Sequence, residues 1–275
     1  MSRQRRFTGL LAALGAFVAL VILLFPLYAV IVASFENNSQ LLGTHYNFLP
    51  PTPSFANYSA VISAQGGHIA STLIIGVGTA VLTLLISVPA AHALARYRFR
   101  VTVILVAGLL IAQILPSIVI ANSLFLIYHK LHLLNTYPGL ILADASYAIP
   151  FSILVLRAFM LSLPNDVLQA ARVDGASEWK TFVRVVLPMS RSAVITVAVF
   201  AFLNGWGDFI FALTLLSGST FQPITLSVYS YIGEFTNSLG QALALCVIGI
   251  LPAAMLLVAA QRYIAGGLTV GSVKG

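Results

Sequence analysis

Long apolar stretches alternate along this chain with short polar ones. A helix that crosses the hydrocarbon core of a bilayer needs about 20 predominantly apolar residues in series. Six stretches meet that need, at roughly Phe7–Ser34, Ile69–Ala91, Val101–Tyr128, Pro138–Leu161, Ser192–Leu216 and Gly240–Tyr263. Each is expected to be a helix, because a backbone facing lipid must satisfy its own hydrogen bonds. The pattern predicts an all-α membrane protein with six transmembrane helices. It forms one transmembrane domain over 1–275: a first span and external loop (1–68), a five-helix core (69–263) that includes the loop 162–191, and a tail (264–275).

Composition strengthens this picture. Apolar residues make up 59% of the 275 positions and charged residues 8%, against roughly one quarter charged in a soluble domain. The net charge of +7 would suggest nucleic acid in a soluble chain, but in a membrane chain basic residues report the side of a loop. With the N-terminus in the cytoplasm, Arg3, Arg5, Arg6, Arg96, Arg98, Arg100, Arg157, Arg172, Lys180, Arg184, Arg191, Arg262 and Lys274 fall inside and only Lys130 outside. That asymmetry predicts cytoplasmic N- and C-termini, a lipid bilayer as partner and no nucleic acid. The basic start Met1–Arg6 is like that of a signal peptide, but the apolar run behind it is long and lacks a small-residue cleavage site, so it reads as the first span. Cys246 sits alone in an apolar run, which excludes a disulfide or zinc framework within the chain.

Two polar segments remain. The external one, from Glu36 to His68, holds no Lys or Arg and carries Pro50, Pro51 and Pro53, and reads as an extended loop. The other, Ser162–Arg191, reads as helix, sharp turn, helix. Pro164 suits a first helical turn and Asp166 complements its dipole; Gly175 suits a left-handed stop, and Ser177 a cap for the next helix. There Trp179, Phe182, Val183 and Val186 recur at i, i+3, i+4 and i+7 as one apolar stripe, with Pro188 marking the end. On the pattern alone, its own subunit, the membrane surface or a partner could each cover that stripe.

The run Gln169, Ala170, Ala171, Arg172, Val173, Asp174, Gly175, Ala176, Ser177, followed by Phe182 and by Leu187-Pro188, resembles the signature loop of permease subunits of binding-protein-dependent ABC importers. The family pattern is Glu-Ala-Ala, a spacer, Asp-Gly-Ala, then Leu-Pro; here Gln169 replaces the Glu, which puts any ion pair at that spot in doubt. Three further segments resemble the maltose-type carbohydrate branch: Ala90 to Arg96, with His92 in place of Tyr; Trp206-Gly207-Asp208-Phe209, with Gly207 in place of Asn; and the tail from Gly266. The resemblance implies that 162–191 is a cytoplasmic coupling loop, with Gln169, Ala170, Ala171, Asp174, Gly175, Ala176, Ser177, Trp179, Phe182, Leu187 and Pro188 seated in a groove of an ATPase subunit. It also implies a second homologous permease, two copies of the ATPase, an extracytoplasmic binding protein and the bacterial inner membrane, with carbohydrate cargo favoured. Amino acid, polyamine or glycerophosphate cargo are the alternatives.

No Gly-x-x-x-x-Gly-Lys-Ser/Thr, Gly-x-Ser-x-Gly or His-Glu-x-x-His stretch occurs, so no enzyme is expected here, and ATP and Mg would sit on the partner ATPase. His129 and His132 lack further ligands for a metal. Polar residues inside spans mark either a solute path or helix–helix hydrogen bonds: Gln113 and Asn122 around Pro116 in the third, Asp144 in the fourth, and Asn204, Trp206 and Asp208 in the fifth. The competing reading, an ion-coupled secondary transporter or channel, would need intramembrane carboxylates in a coupling role, for which only Asp144 and Asp208 are available.

Overall fold

The structure, a computed structural model, describes residues 3–43, 48–97, 101–234 and 239–269. Arg98, Arg100, Lys274 and the last residues of the tail lie outside them. Among the described residues the chain is helical, with no strand. Four helices are long and apolar enough to cross a membrane, or up to six if each of two bent pairs counts as one span.

The first is α1 (Arg3–Ser34). After the single turn α2 (Asn38–Leu41) comes α3 (Ala56–Arg96), 41 residues long. The expected extended loop therefore ends at Phe55, and residues 56–68 are helical. The prolines that suggested an extended loop all precede Ala56, so nothing in 56–68 interrupts the helix.

The expected third span is broken into α4 (Thr102–Ala112) and α5 (Ser117–Leu131), bent by 98°. Pro116 stands at the N-cap of α5 in an extended conformation; having no N–H and a ring that obstructs the preceding turn, it stops the ladder there. The fourth span, α6 (Tyr137–Leu161), matches expectation, with Thr136 Oγ1 accepting from the Gly139 N–H at 3.1 Å. The expected fifth span is divided too, into α10 (Arg191–Gly207) and α11 (Ile210–Leu215). Before α10 lie α7 (Asn165–Val173), α8 (Glu178–Thr181), a π-helical turn over Phe182–Val186 and α9 (Leu187–Met189). After α11 comes α12 (Ile224–Glu234), which the hydropathy pattern did not predict, and then α13 (Leu239–Thr269).

The chain divides into two compact units. One takes in the chain up to Gly66 together with Ser227–Leu251. In it Asn57 Nδ2 donates to the carbonyls of Ser34 and Glu36, both at 3.0 Å, and Ser34 shares a hydrogen bond with Tyr58. Phe35 packs against Phe55 and Tyr58, with ring centroids 5.3 and 5.0 Å apart, so the start of α3 is fastened to the end of α1.

The other unit, Gly67–Leu226 and the chain from Pro252 onward, holds two apolar cores. The first gathers Val88 and Ala91 of α3, Ile153, Leu156 and Met160 of α6, Leu168 of α7, Phe182 and Val186 of the π turn, and Ala193 and Val197 of α10. The second gathers Ile75, Ala121, Tyr128, Leu140, Ala143 and Phe211, with Ala212, Leu215 and Leu216. Between them α3 and α10 approach closely: a Cβ added to Gly205 would lie 2.6 Å from Thr79 Oγ1 and 3.2 Å from the Gly76 Cα.

Candidate functional site

The segment between α6 and α10 is built on a glycine turn. At the end of α7 the Ala176 N–H donates to the Ala171 carbonyl and the Gly175 N–H to the Arg172 carbonyl, both at 3.0 Å. This paired closure needs a left-handed residue between helix and exit, and Gly175 supplies it at φ +78°. Ser177 Oγ then accepts the Lys180 N–H at 3.3 Å and starts α8. Arg172 and Glu178, 2.7 Å apart, bridge the turn on its surface. Asp174 is the C-cap of α7, Gln169 and Ala170 lie on its exposed side, and Ala171 and Ala176 are half-buried.

The expected single apolar stripe does not form. A π turn over Phe182–Val186 adds a residue to the helical repeat, so the i, i+3, i+4, i+7 positions no longer share a face. Phe182 (7% exposed) and Val186 turn into the subunit's own core, Leu187 packs against it, and Pro188 is exposed. Trp179 is left 71% exposed, with Val173 across the turn at 88%. Phe182 therefore belongs to this subunit's interior rather than to a partner's groove. Its ring lies 5.5 Å from Trp179 and 4.6 Å from His92 of α3, so the exposed indole is linked by ring contacts to α3.

A second arrangement lies where two spans break. A cavity of about 290 Å³ is lined by residues that include Ser117, Asp144, Tyr147, Asn204, Asp208 and Phe211. Asp208 has a structural task there: Oδ1 accepts the Phe211 N–H at 3.1 Å and Oδ2 the Ala212 N–H at 2.8 Å, capping α11. Its carbonyl also accepts the Thr225 hydroxyl. Asn204 Nδ2 donates to the Phe200 carbonyl of its own helix at 3.0 Å. Asp144, 2% exposed, has no such partner at Oδ2.

Of the six polar nominations, the cavity brings together Asp144, Asn204 and Asp208. Gln113 sits in the corner between α4 and α5 and Asn122 is exposed on α5, neither lining the cavity. Trp206 is buried and stacked on Phe202, with centroids 5.5 Å apart. The sequence reading missed Ser117 and Tyr147. Both carried a signal: Ser117 follows the proline that breaks the span, and Tyr147 stands at i+3 from Asp144, on the same helix face.

A family profile described as "Binding-protein-dependent transport system inner membrane component" matches residues 83–269. The chain is 31% identical over 264 residues to the sulfoquinovosyl glycerol transport system permease protein SmoH of Agrobacterium fabrum, covering 95% of this chain and 93% of that one. It is 32% identical over 233 residues to the trehalose transport system permease protein SugB of Mycobacterium tuberculosis, covering 82% and 84%. A chain of a bacterial ABC transporter involved in alginate import has the same fold, at a TM-score of 0.81 and 21% identity, over 96% of this chain and 99% of that one.

Proposed function

This chain belongs to the family of inner membrane components of binding-protein-dependent transport systems, and we propose that it forms half of the translocation pathway of a sugar importer driven by a separate ATPase. The carbohydrate class is supported by the permeases of trehalose and sulfoquinovosyl glycerol systems, which it resembles over most of its length. Its partners would be a second permease, two copies of the ATPase carrying ATP and Mg, and an extracytoplasmic binding protein. It would lie in the bacterial inner membrane with the turn around Gly175 and both termini on the cytoplasmic side, as the distribution of Lys and Arg supports.

The observation that carries the coupling role is the exposed indole of Trp179, standing on a base anchored in the core through Phe182. An isolated exposed aromatic is ordinary, but this one tops a two-helix turn and packs at a tilt on a ring that lies in the core with residues of α3, α6 and α10. Seated in an ATPase groove, Trp179 would contribute about 1.5–3 kcal/mol before ordering costs. Movement of that groove would reach α3 and α10 through Phe182 and Val186.

The test is to purify the assembled importer with Trp179→Ala and compare uptake and ATP hydrolysis with the parent. Loss of about tenfold in both, or failure of the ATPase to co-purify, is expected. Unchanged uptake and hydrolysis would remove the coupling role. Uptake that followed an imposed ion gradient and ignored ATP would favour a secondary transporter.

A further inference from the structure

We infer that the cavity between the breaks of the third and fifth candidate spans contacts hydroxyl groups of the cargo, so that this subunit handles the solute directly. The inference rests on the carbohydrate reading above and adds to it a site.

Two of the cavity's walls are interrupted helices: α5 begins there at Ser117, and α10 ends there at Gly207. Broken helices expose backbone groups that a continuous helix would pair internally, and inside a membrane such breaks are tolerated where they line a cavity. The wall is mixed in the way a polyol needs. Asp144, Asn204 and Asp208 offer acceptor oxygens, Ser117 and Tyr147 offer hydroxyls, and Tyr147 packs edge-on against Phe211 with centroids 6.3 Å apart.

Asp144 decides between ligands. It is 2% exposed, and its Oδ2 has no hydrogen-bond partner among the described residues. A buried acceptor without a donor is destabilising, and a hydroxyl group supplies the missing donor. Asp208 differs, because both its oxygens already accept backbone N–H groups. Two carboxylates disfavour an anionic cargo. They also make a poor cation clamp, since one is occupied in capping and a bare cation asks for about six oxygen ligands. A neutral, hydroxyl-bearing solute satisfies Asp144 without disturbing the cap. At about 290 Å³ the space lies at the small end of ligand pockets, which suits one sugar-sized moiety.

The experiment uses the whole importer in proteoliposomes with its binding protein. It measures radiolabelled trehalose or maltose delivered per ATP hydrolysed, for the parent, Asp144→Asn and Tyr147→Phe. Exchanging one carboxyl oxygen for an amide NH2, which cannot accept from a hydroxyl, predicts about a tenfold fall in sugar per ATP for Asp144→Asn, with binding-protein-stimulated hydrolysis retained. A smaller fall is expected for Tyr147→Phe, which keeps the ring; it is the deciding variant if Asp144→Asn does not assemble. An unchanged ratio in the deciding variant overturns the site while leaving the importer reading intact. A fall that appears only when sodium or potassium is varied overturns it in favour of a cation site. If the parent delivers none of the sugars, the carbohydrate reading fails first and the site falls with it.

Discussion

Asp208 and Gly205, three positions apart, show how much one residue decides here. A carboxylate in a membrane span invites a functional reading, yet both oxygens of Asp208 are engaged by the N–H groups of Phe211 and Ala212, which no preceding turn of α11 can satisfy. Asp208→Ala is expected to destabilise the protein by about 0.5–2 kcal/mol, the usual loss of a side chain that caps a helix start, and Asp208→Asn by less. Thermal unfolding of the detergent-purified protein would measure both. Gly205 is constrained by space: any side chain meets Thr79 and the backbone of Gly76. Gly205→Ala should force α3 and α10 apart at about 1–3 kcal/mol, an effect detectable as a lower melting temperature.

At the scale of elements, the turn joining α7 to α8 is largely legible in the sequence. Asp166, Gly175 and Ser177 take the places expected of them, while Pro164 stands one position earlier than expected, as the extended N-cap of α7 rather than in its first turn. Gly175→Val would force a branched side chain to φ +78°, where it is strained whatever the room around it, and should cost about 1–3 kcal/mol. Gly175→Asn, better tolerated there, should restore most of the lost expression and uptake, which separates strain from loss of surface. The face of the following helix was not legible. Spacing arguments assume about 3.6 residues per turn, and a π turn cannot be recognised from apolar positions alone. The breaks in the third and fifth spans were hidden for a related reason: hydropathy averages over a window, and Gln113, Pro116 and Asp208 are too few to lower it. So the polar nominations found three of the cavity's residues and missed Ser117 and Tyr147, whose meaning depends on where the helices stop.

For the molecule as a whole, orientation is the property on which the proposed function most depends. It rests on a distribution of charge that the bilayer, not the fold, gives meaning to. Single-cysteine labelling on a Cys246→Ser background would read it. Ser177→Cys should react with a membrane-impermeant maleimide only after the membrane is opened, and Asn135→Cys, in the α5–α6 connection, should react in intact spheroplasts. The reverse pattern would turn the Gly175 tip away from any cytosolic motor.

The π-helical stretch before α9 amounts to one residue too many, and the turn absorbs that surplus locally. Deleting Arg184, whose side chain is exposed, would let an ordinary helix close up with the Trp179 indole turned only slightly, because the five residues of a π turn sweep nearly the same angle as four in an α-helix. Every amino acid in the tip would survive, and its compass heading would barely change.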